Sequence, residues 1–541
     1  MKIQKTLIVF ISLIFLIILK SNSQYRDSLE IQQEIINQSQ KFKSLLETIY
    51  KNYADSVDIV KISEVAFNAL LKGLDQYSLY YNSEQYKLLS EANKGSSEGI
   101  GVSIVSINDT CVVFSVVKGS PADSAGIRIG DKILFIDGKN IVKMSTTDIF
   151  KILNGQKASF VSIIIKRGFS NILQEFNLSR GDVHINSINC YFILEGTDIG
   201  YIKCNRFSSI ADSEFVVTAD ALIKQGMKKL IIDLRNNPGG YLDQVTNIVD
   251  KFLDCKDVIA YTKSRNPEFE YKYMSNGNGK YKSIPLIILI NSQSLSGSET
   301  IAGAIQDFDR GLIIGETSFG KALTQKLWTF NDGSAFQLTV GKYYTPSGRC
   351  IHKPTVSENE KSKLDPAIYL HLSPEEQKNI EKLIQSGKLS DKIQIFRTKK
   401  GRAVFSSGGI VPDYFVAEDT TTLLTRLLQT KGVFLEYALL YIEPRRKDLE
   451  QKYLENIDLF LKEFKVDDKM LNEFVALAKS KNIWNEAMFE KDANYIRNFI
   501  KAAIAHLFWE NQGFYQVLYH LDNVINKAIE LMPVAEKMIV K

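Results

Sequence analysis

The chain has 541 residues, more than one hydrophobic core ordinarily serves, so several domains are expected. With 45% hydrophobic and 24% charged residues it has an ordinary soluble globular composition, and a formal net charge of +5 is too weak to argue for a nucleic-acid or anionic-membrane partner. Five cysteines (Cys111, Cys190, Cys204, Cys255 and Cys350) are scattered without CxxC spacing, so neither a zinc site nor a disulfide framework is implied, and no metal or organic cofactor is expected.

In chain order, Lys2 and Lys5 precede the apolar run Leu7 to Leu19, which gives way to Lys20-Ser21-Asn22-Ser23-Gln24. So short a run suits the core of a signal peptide better than a membrane span, which needs about twenty residues. Ser21 and Ser23 are small enough for cleavage before Gln24, so residues 1–23 are predicted to be a signal peptide, with an uncleaved membrane anchor as the alternative. Both versions export the protein, to the periplasm or cell envelope.

Residues 25–95 are predicted to be a helical segment, with Phe42, Leu45, Leu46, Ile49 and Tyr53 at three- and four-residue spacing on one face. Next come strands at Gly101–Ile107 and Thr110–Val116, a helix start at Ser120-Pro121-Ala122 and a strand opening at Gly130-Asp131-Lys132-Ile133. This series resembles a PDZ domain over residues 97–168. The turn Glu98–Gly101 offers backbone N–H groups to a free carboxylate, and the strand after it offers an edge to an extended peptide. Gly99, Ile100, Gly101, Val102 and Ile104 are the candidate peptide-binding residues, facing Ile149 or Ile152 across a groove.

From residue 183 the rhythm becomes strand and helix. Strands are predicted at Ile199–Phe207, Leu230–Leu234, Val258–Tyr261 and Leu286–Ile290, and helices at Asp212–Gln225 and Leu242–Leu253, the pattern of an α/β layer structure. Between one strand and helix lies Arg235-Asn236-Asn237-Pro238-Gly239-Gly240, where two glycines let the backbone approach a ligand closely.

After Leu286–Ile290 and a short polar turn, Ser296 stands at the start of the helix-like segment Glu299–Ile305. A helix N-terminus presents unpaired N–H groups and the positive end of the dipole, so the Gly297 N–H is a natural half of an oxyanion hole. Serine needs a neighbouring base to act as a nucleophile. None of the five histidines (His184, His352, His371, His506 and His520) lies within thirty residues of Ser296, whereas Lys321 follows the strand Leu312–Gly315 and can return by a strand–turn–strand path. A lysine base must be neutral; lowering its pKa from about 10.4 to roughly 7–8 implies ~3–5 kcal/mol of differential desolvation, and so a site with much apolar wall and few carboxylates. Gln325 could accept a hydrogen bond from that amine and aim it. The bland alternative is that Ser292, Ser294, Ser296 and Ser298 cap a helix while Lys321 is a solvated loop residue.

The ordered series Ser294-Leu295-Ser296-Gly297-Ser298-Glu299, Gly315-Glu316-Thr317-Ser318-Phe319-Gly320-Lys321 and Gln325 resembles the catalytic signature of the carboxyl-terminal processing (tail-specific) proteases. The resemblance implies Ser296 as nucleophile, Lys321 as general base, Gln325 as its orienter, and Gly239 or Gly240 as the second oxyanion donor beside Gly297. It implies a multidomain α/β architecture: a PDZ-like domain with a crotonase-like (ClpP-like) serine protease core, a helical N-terminal segment and a helical C-terminal domain. This chain departs from the family where alanine ordinarily stands at positions 295 and 297 and glycine at position 322.

Leu327–Phe330, the turn Asn331-Asp332-Gly333 and Phe336–Tyr344 read as a hairpin, and Tyr343-Tyr344-Thr345-Pro346-Ser347-Gly348-Arg349 is a further family-like landmark. The core is placed at 183–356 and 404–417, the latter with Gly409–Asp413 as a returning strand, around a polar insertion at 357–403. Residues 418–541 read as a separate helical domain, from Tyr453, Ile457, Phe460 and Phe464, then Ile496, Phe499, Ile500, Ala503 and Leu507, then Val524, Ile525 and Ala528. That domain could pack onto the core, dock an adaptor protein or mediate self-association. The expected partners are protein or peptide substrates with a free C-terminus. The competing functions are a catalytically inactive peptide-binding scaffold of the same fold and a binder of apolar small ligands.

Overall fold

The run Leu286-Ile287-Ile288-Leu289-Ile290 forms the middle of a six-stranded sheet in the order Ile188–Ile193, Ile199–Cys204, Lys229–Asp233, Leu286–Ile290, Leu312–Gly315, Tyr414–Phe415. Only the first pair is antiparallel. All five residues of the central run are buried, as a parallel strand covered on both faces requires. Side chains alternate: Ile288 and Ile290 meet Phe215, Ile248 and Ile301 of the helices Ala211–Lys224, Leu242–Asp250 and Gly297–Asp307. Ile287 and Leu289 face the other way, onto Val524, Ala528 and Met532 of the last helix, Asn523–Ile539.

That last contact corrects the reading of residues 418–541 as a separate domain. The region is helical, but its final helix is a layer of the α/β core, because the sheet's second apolar face must be covered. The preceding helices, from Leu423–Thr430 to Glu486–Leu518, share a core that also takes in Ile107 and Val112 of the PDZ-like sheet. Tyr453, Phe460, Phe464, Ile496, Ile500, Ala503 and Leu507 are all buried there, as their spacing predicts.

The PDZ-like sheet runs Val102–Ile107, Thr110–Val116, Lys132–Ile136, Phe160–Lys166, Leu173–Ser179. Helix Pro121–Ser124 is capped by Ser120 and helix Thr146–Leu153 by Ser145. The fifth strand lies beyond the expected boundary at residue 168; its polar residues left it without a strand signature. Further on, Ser96–Gly99 pairs with Gly181–His184.

The computed structural model describes residues 29–168, 172–353, 394–406 and 408–539. It divides into two units, one holding the chain up to Ser83 with the hairpin tip Leu327–Leu338, the other Glu84–Lys326 with Thr339–Lys541. In the first unit, helices cover 29–52 and Ile59–Lys72, and the expectation of a wholly helical segment at 25–95 is corrected by a strand, Leu79–Tyr81, paired antiparallel with Ala335–Gln337. Phe42, Leu46 and Ile49 are half-buried, but Leu45 and Tyr53 of the predicted apolar face are exposed. The predicted signal peptide lies outside the described residues, as does most of the insertion; its Ile395–Arg397 pairs with Ala403–Phe405, a strand that runs across the expected boundary at residue 403. Among the described residues no helix is long and apolar enough to cross a membrane.

Candidate active site

The chain leaves the strand Leu286–Ile290 through a polar turn and enters helix Gly297–Asp307 with Ser296 at the N-cap. The serines around it have distinct employment. Ser294 is fully buried, donating to the Leu234 carbonyl at 2.8 Å and accepting from the Asn291 N–H at 3.0 Å. Ser298 is equally buried and donates to the Asn237 carbonyl at 3.1 Å. Ser292 is exposed, whereas Ser296 is half-buried and opens onto a cleft of about 370 Å³. Its backbone, at φ 52° and ψ −107°, is one that non-glycine residues rarely adopt and that costs about 1–3 kcal/mol, as on the sharp strand-to-helix turns that project a nucleophile.

The residue that sequence reasoning passed over is Glu299. Its carboxylate is fully buried and receives four donors: Oε2 takes the main-chain N–H of Ser296 at 2.8 Å and of Lys321 at 2.9 Å, and Oε1 takes the Gly320 N–H and the Ser318 hydroxyl, each at 2.6 Å. One carboxylate oxygen thus bridges the backbones of the proposed nucleophile and base, holding their nitrogens within two hydrogen-bond lengths. Burial pushes the Glu299 carboxyl above its ordinary range, opposed by the hydrogen bonds from Ser318 and the main chain. One carboxylate does stand beside the lysine's main chain, and it is already saturated with donors. Its signal was present as the Ser-x-x-Glu spacing of a capping box.

The loop Glu316–Lys321 returns to the Ser296 turn as the strand–turn–strand path requires. Phe319 N–H donates to the Ser294 carbonyl at 3.1 Å, and Tyr343 donates its hydroxyl to the Ser296 carbonyl at 3.1 Å. Lys321 is half-buried. Gln325 lines the same cleft as Ser296, its Nε2 donating to Thr339 Oγ1 at 3.5 Å. Tyr241, Phe269, Tyr271, Tyr273, Leu323 and Val340 make the rest of the wall largely apolar and aromatic.

Of the two glycines offered as oxyanion donors, Gly239 has its N–H committed to Asn237 Oδ1 at 2.8 Å. Among the described residues Gly240 N–H and Gly297 N–H donate to nothing. Gly239 serves by absence: at φ +91° a Cβ there would stand 2.7 Å from Gly297 N and 3.0 Å from Ser296 Cβ, filling the space in front of that donor. The loop is anchored at its root. Buried Arg235 binds Asp233 at 2.6 Å and Asp522 at 2.8 Å, and its carbonyl accepts from Lys203 at 3.3 Å. Burial opposes ionisation of Asp233, but Arg235 and Lys203 beside it hold the carboxyl well below the usual range.

With this geometry in place, the chain matches Peptidase family S41 over residues 198–362, a PDZ domain over 89–165, and a family of unknown function, DUF8443, over 424–510. The carboxyl-terminal-processing protease of Picosynechococcus sp. is 34% identical over 307 residues, 56% of this chain and 73% of that protein. The chain belongs to the carboxyl-terminal processing protease family. Carboxy-terminal processing protease CtpA of Bacillus subtilis is 30% identical to it over 326 residues, 60% of this chain and 69% of the relative. Among solved structures, the photosystem II D1 C-terminal processing protease is 26% identical, with 60% of this chain and 92% of that one covered at a TM-score of 0.32.

In this family member the PDZ residues are placed as follows. Ile100 and Gly101 lie in the loop between strands, and among the described residues their N–H groups donate to nothing. Gly99 is held in the Ser96–Gly99 strand opposite Gly181. Ile100, Val102 and Ile149 are buried in the domain core, so the accessible part of the groove wall is left to the half-buried Ile104 and Ile152, a narrower wall than predicted. Gly101 is obligatory where it stands: at φ +86°, a Cβ would lie 2.2 Å from that of Ser120.

Proposed function

We propose that this protein is an exported serine endopeptidase that captures the C-terminal tail of protein substrates on its PDZ domain and cleaves them through Ser296 and Lys321. The observation that carries the reading is the Glu299 carboxylate, which fixes the main chain of both residues at one point. A neutral Lys321 takes the Ser296 hydroxyl proton as Oγ attacks the scissile carbonyl, and the oxygen that becomes negative sits between the free N–H groups of Gly240 and Gly297. Protonated Lys321 then gives its proton to the departing amine, leaving an ester on Ser296; water attacks that ester as Lys321 takes one of its protons, and Lys321 returns that proton to Ser296 Oγ as the C–O bond breaks and the acid is released. Gln325 steadies the amine by its carboxamide oxygen.

Tail recognition is supported by the paired free donors at Ile100 and Gly101 and by the open edge of Val102–Ile107. Charge-assisted hydrogen bonds of this kind contribute about 1.5–3 kcal/mol, so amidating a substrate's C-terminus is expected to weaken recognition roughly ten- to a hundredfold. Paired peptides, acid against amide, measure this; equal cleavage would leave a general endopeptidase. Export is supported by the run Leu7 to Leu19 and the small residues behind it. N-terminal sequencing of the protein from its native envelope is expected to begin at Gln24, and a chain still carrying Met1 would turn the leader into an anchor.

A further inference from the structure

Strand Val102–Ile107 ends its sheet: it pairs with Thr110–Val116 on one side and with no described strand on the other. Along that open edge lies a cleft of about 520 Å³ whose far wall comes from the C-terminal helices. Residues 104–107 and Thr146, the first residue of the groove helix, form the near side; Phe434, Phe499, Phe514 and Tyr515 form the far side, with Gln429 and Asn511 among its polar groups. The aromatic wall is continuous, with Phe434 4.4 Å from Phe499 and Phe499 5.2 Å from Phe514 between ring centroids.

The wall is fastened to the PDZ domain by specific bonds. His506 Nε2 lies 3.0 Å from the Phe114 carbonyl, and Glu510 accepts the Val116 N–H at 3.0 Å. Glu510 does so from a break in the long helix Glu486–Leu518, at φ 50° and ψ −139°, a strained conformation for a non-glycine residue. Beyond the break, Phe514 and Tyr515 line the cleft.

We propose that this cleft is a substrate subsite, in which the C-terminal helices read a large aromatic or aliphatic side chain three residues before the substrate's last residue. The inference rests on the tail-binding reading above. A carboxylate held at Ile100 and Gly101 sets the last residue opposite Val102, and an antiparallel strand then advances about 3.3 Å per residue with side chains alternating between faces. The residue two before the end falls opposite Ile104, which packs against the PDZ core near the groove helix. The residue three before the end falls opposite Val105, which faces the core of the C-terminal helices. The groove therefore runs on into the cleft, and the alternation delivers that side chain to the aromatic wall.

The test uses the full chain carrying Ser296→Ala, so that peptides bind without being cut, and compares tails differing only in phenylalanine or glycine at that position, each as acid and amide. A preference for phenylalanine of about tenfold is expected among the free acids, lost when Ala503→Phe fills the cleft, with the acid-over-amide preference retained. Should Ala503→Phe fail to fold by circular dichroism, Phe514→Ala, which opens the wall, is expected to weaken the same preference. Equal binding of the two acids, or a preference unchanged in the cleft variants, overturns the subsite while leaving tail capture standing. Equal binding of acid and amide overturns tail capture itself, and the subsite with it.

Discussion

In a peptide-cleavage assay, Ser296→Ala and Lys321→Ala are each expected to lower activity by roughly three orders of magnitude or more while leaving the protein folded, because in the proposed mechanism the first removes the attacking oxygen and the second its proton acceptor. The neighbouring serines give the contrast. Ser294 and Ser298 spend their hydroxyls on carbonyls of the adjacent loop, so alanine there is expected to cost about 1 kcal/mol of stability each and to retain much of the activity. A Ser294→Ala variant as inactive as Ser296→Ala would move the nucleophile. A lysine base also requires activity to fall on the acid side through one ionisation, since a protonated amine takes no proton. Among the described histidines, His184 bonds Glu214, His506 bonds Phe114 and His520 stands by Glu195. His352 is the one whose neighbour, Lys353, joins the site by donating to the Gly320 carbonyl at 2.8 Å. The acid limb is expected to persist in His352→Gln, and its disappearance there would make histidine the base.

Glu299→Gln is the second large effect expected. A carboxamide offers one acceptor oxygen where the site holds donors on both, so whichever way it turns, its NH2 group confronts either the Ser296 and Lys321 N–H pair or the Gly320 N–H and Ser318 hydroxyl. A shift of about 1 Å between nucleophile and base costs on the order of a hundredfold, so kcat is expected to fall by about that factor with KM little changed. The stability effect carries its own sign. Burial raises the Glu299 carboxyl, so the folded state favours its protonated form; the stability this contributes is present below the unfolded value of about 4.3 and is lost as pH rises through the folded one. The melting-temperature advantage of wild type over Glu299→Gln is therefore expected to be larger near about pH 4 than near about pH 7. A kcat within twofold of wild type would reduce Glu299 to an ordinary helix cap.

What could be read in the sequence follows from what local pattern encodes. Leu286–Ile290 and Thr110–Val116 appear with the bounds predicted, because an unbroken apolar run and a turn-bounded β-branched run each leave a single reading. Leu173–Ser179 and Ile188–Ile193 were missed, the first an edge strand half composed of polar residues and the second interrupted by asparagine and cysteine. The helix Asn523–Ile539 shows its apolar stripe plainly, but a stripe does not say which surface it covers; that depended on the second face of the central sheet, a long-range fact. At the proposed site, the candidate serine, lysine and glutamine stand out in the sequence by type and order. The choice between Gly239 and Gly240 turned on which way a peptide group points, and the part played by Glu299 on four donors arriving from two separated segments.

The central claim, that Lys321 activates Ser296, is tested most directly by labelling the protein with a fluorophosphonate and mapping the adduct by peptide mass spectrometry, wild type beside Lys321→Ala. A single adduct on Ser296 in the wild type, absent or strongly reduced in Lys321→Ala, is the predicted result. An adduct on Ser294, no adduct in the wild type, or equal labelling of Ser296 without the lysine would contradict it.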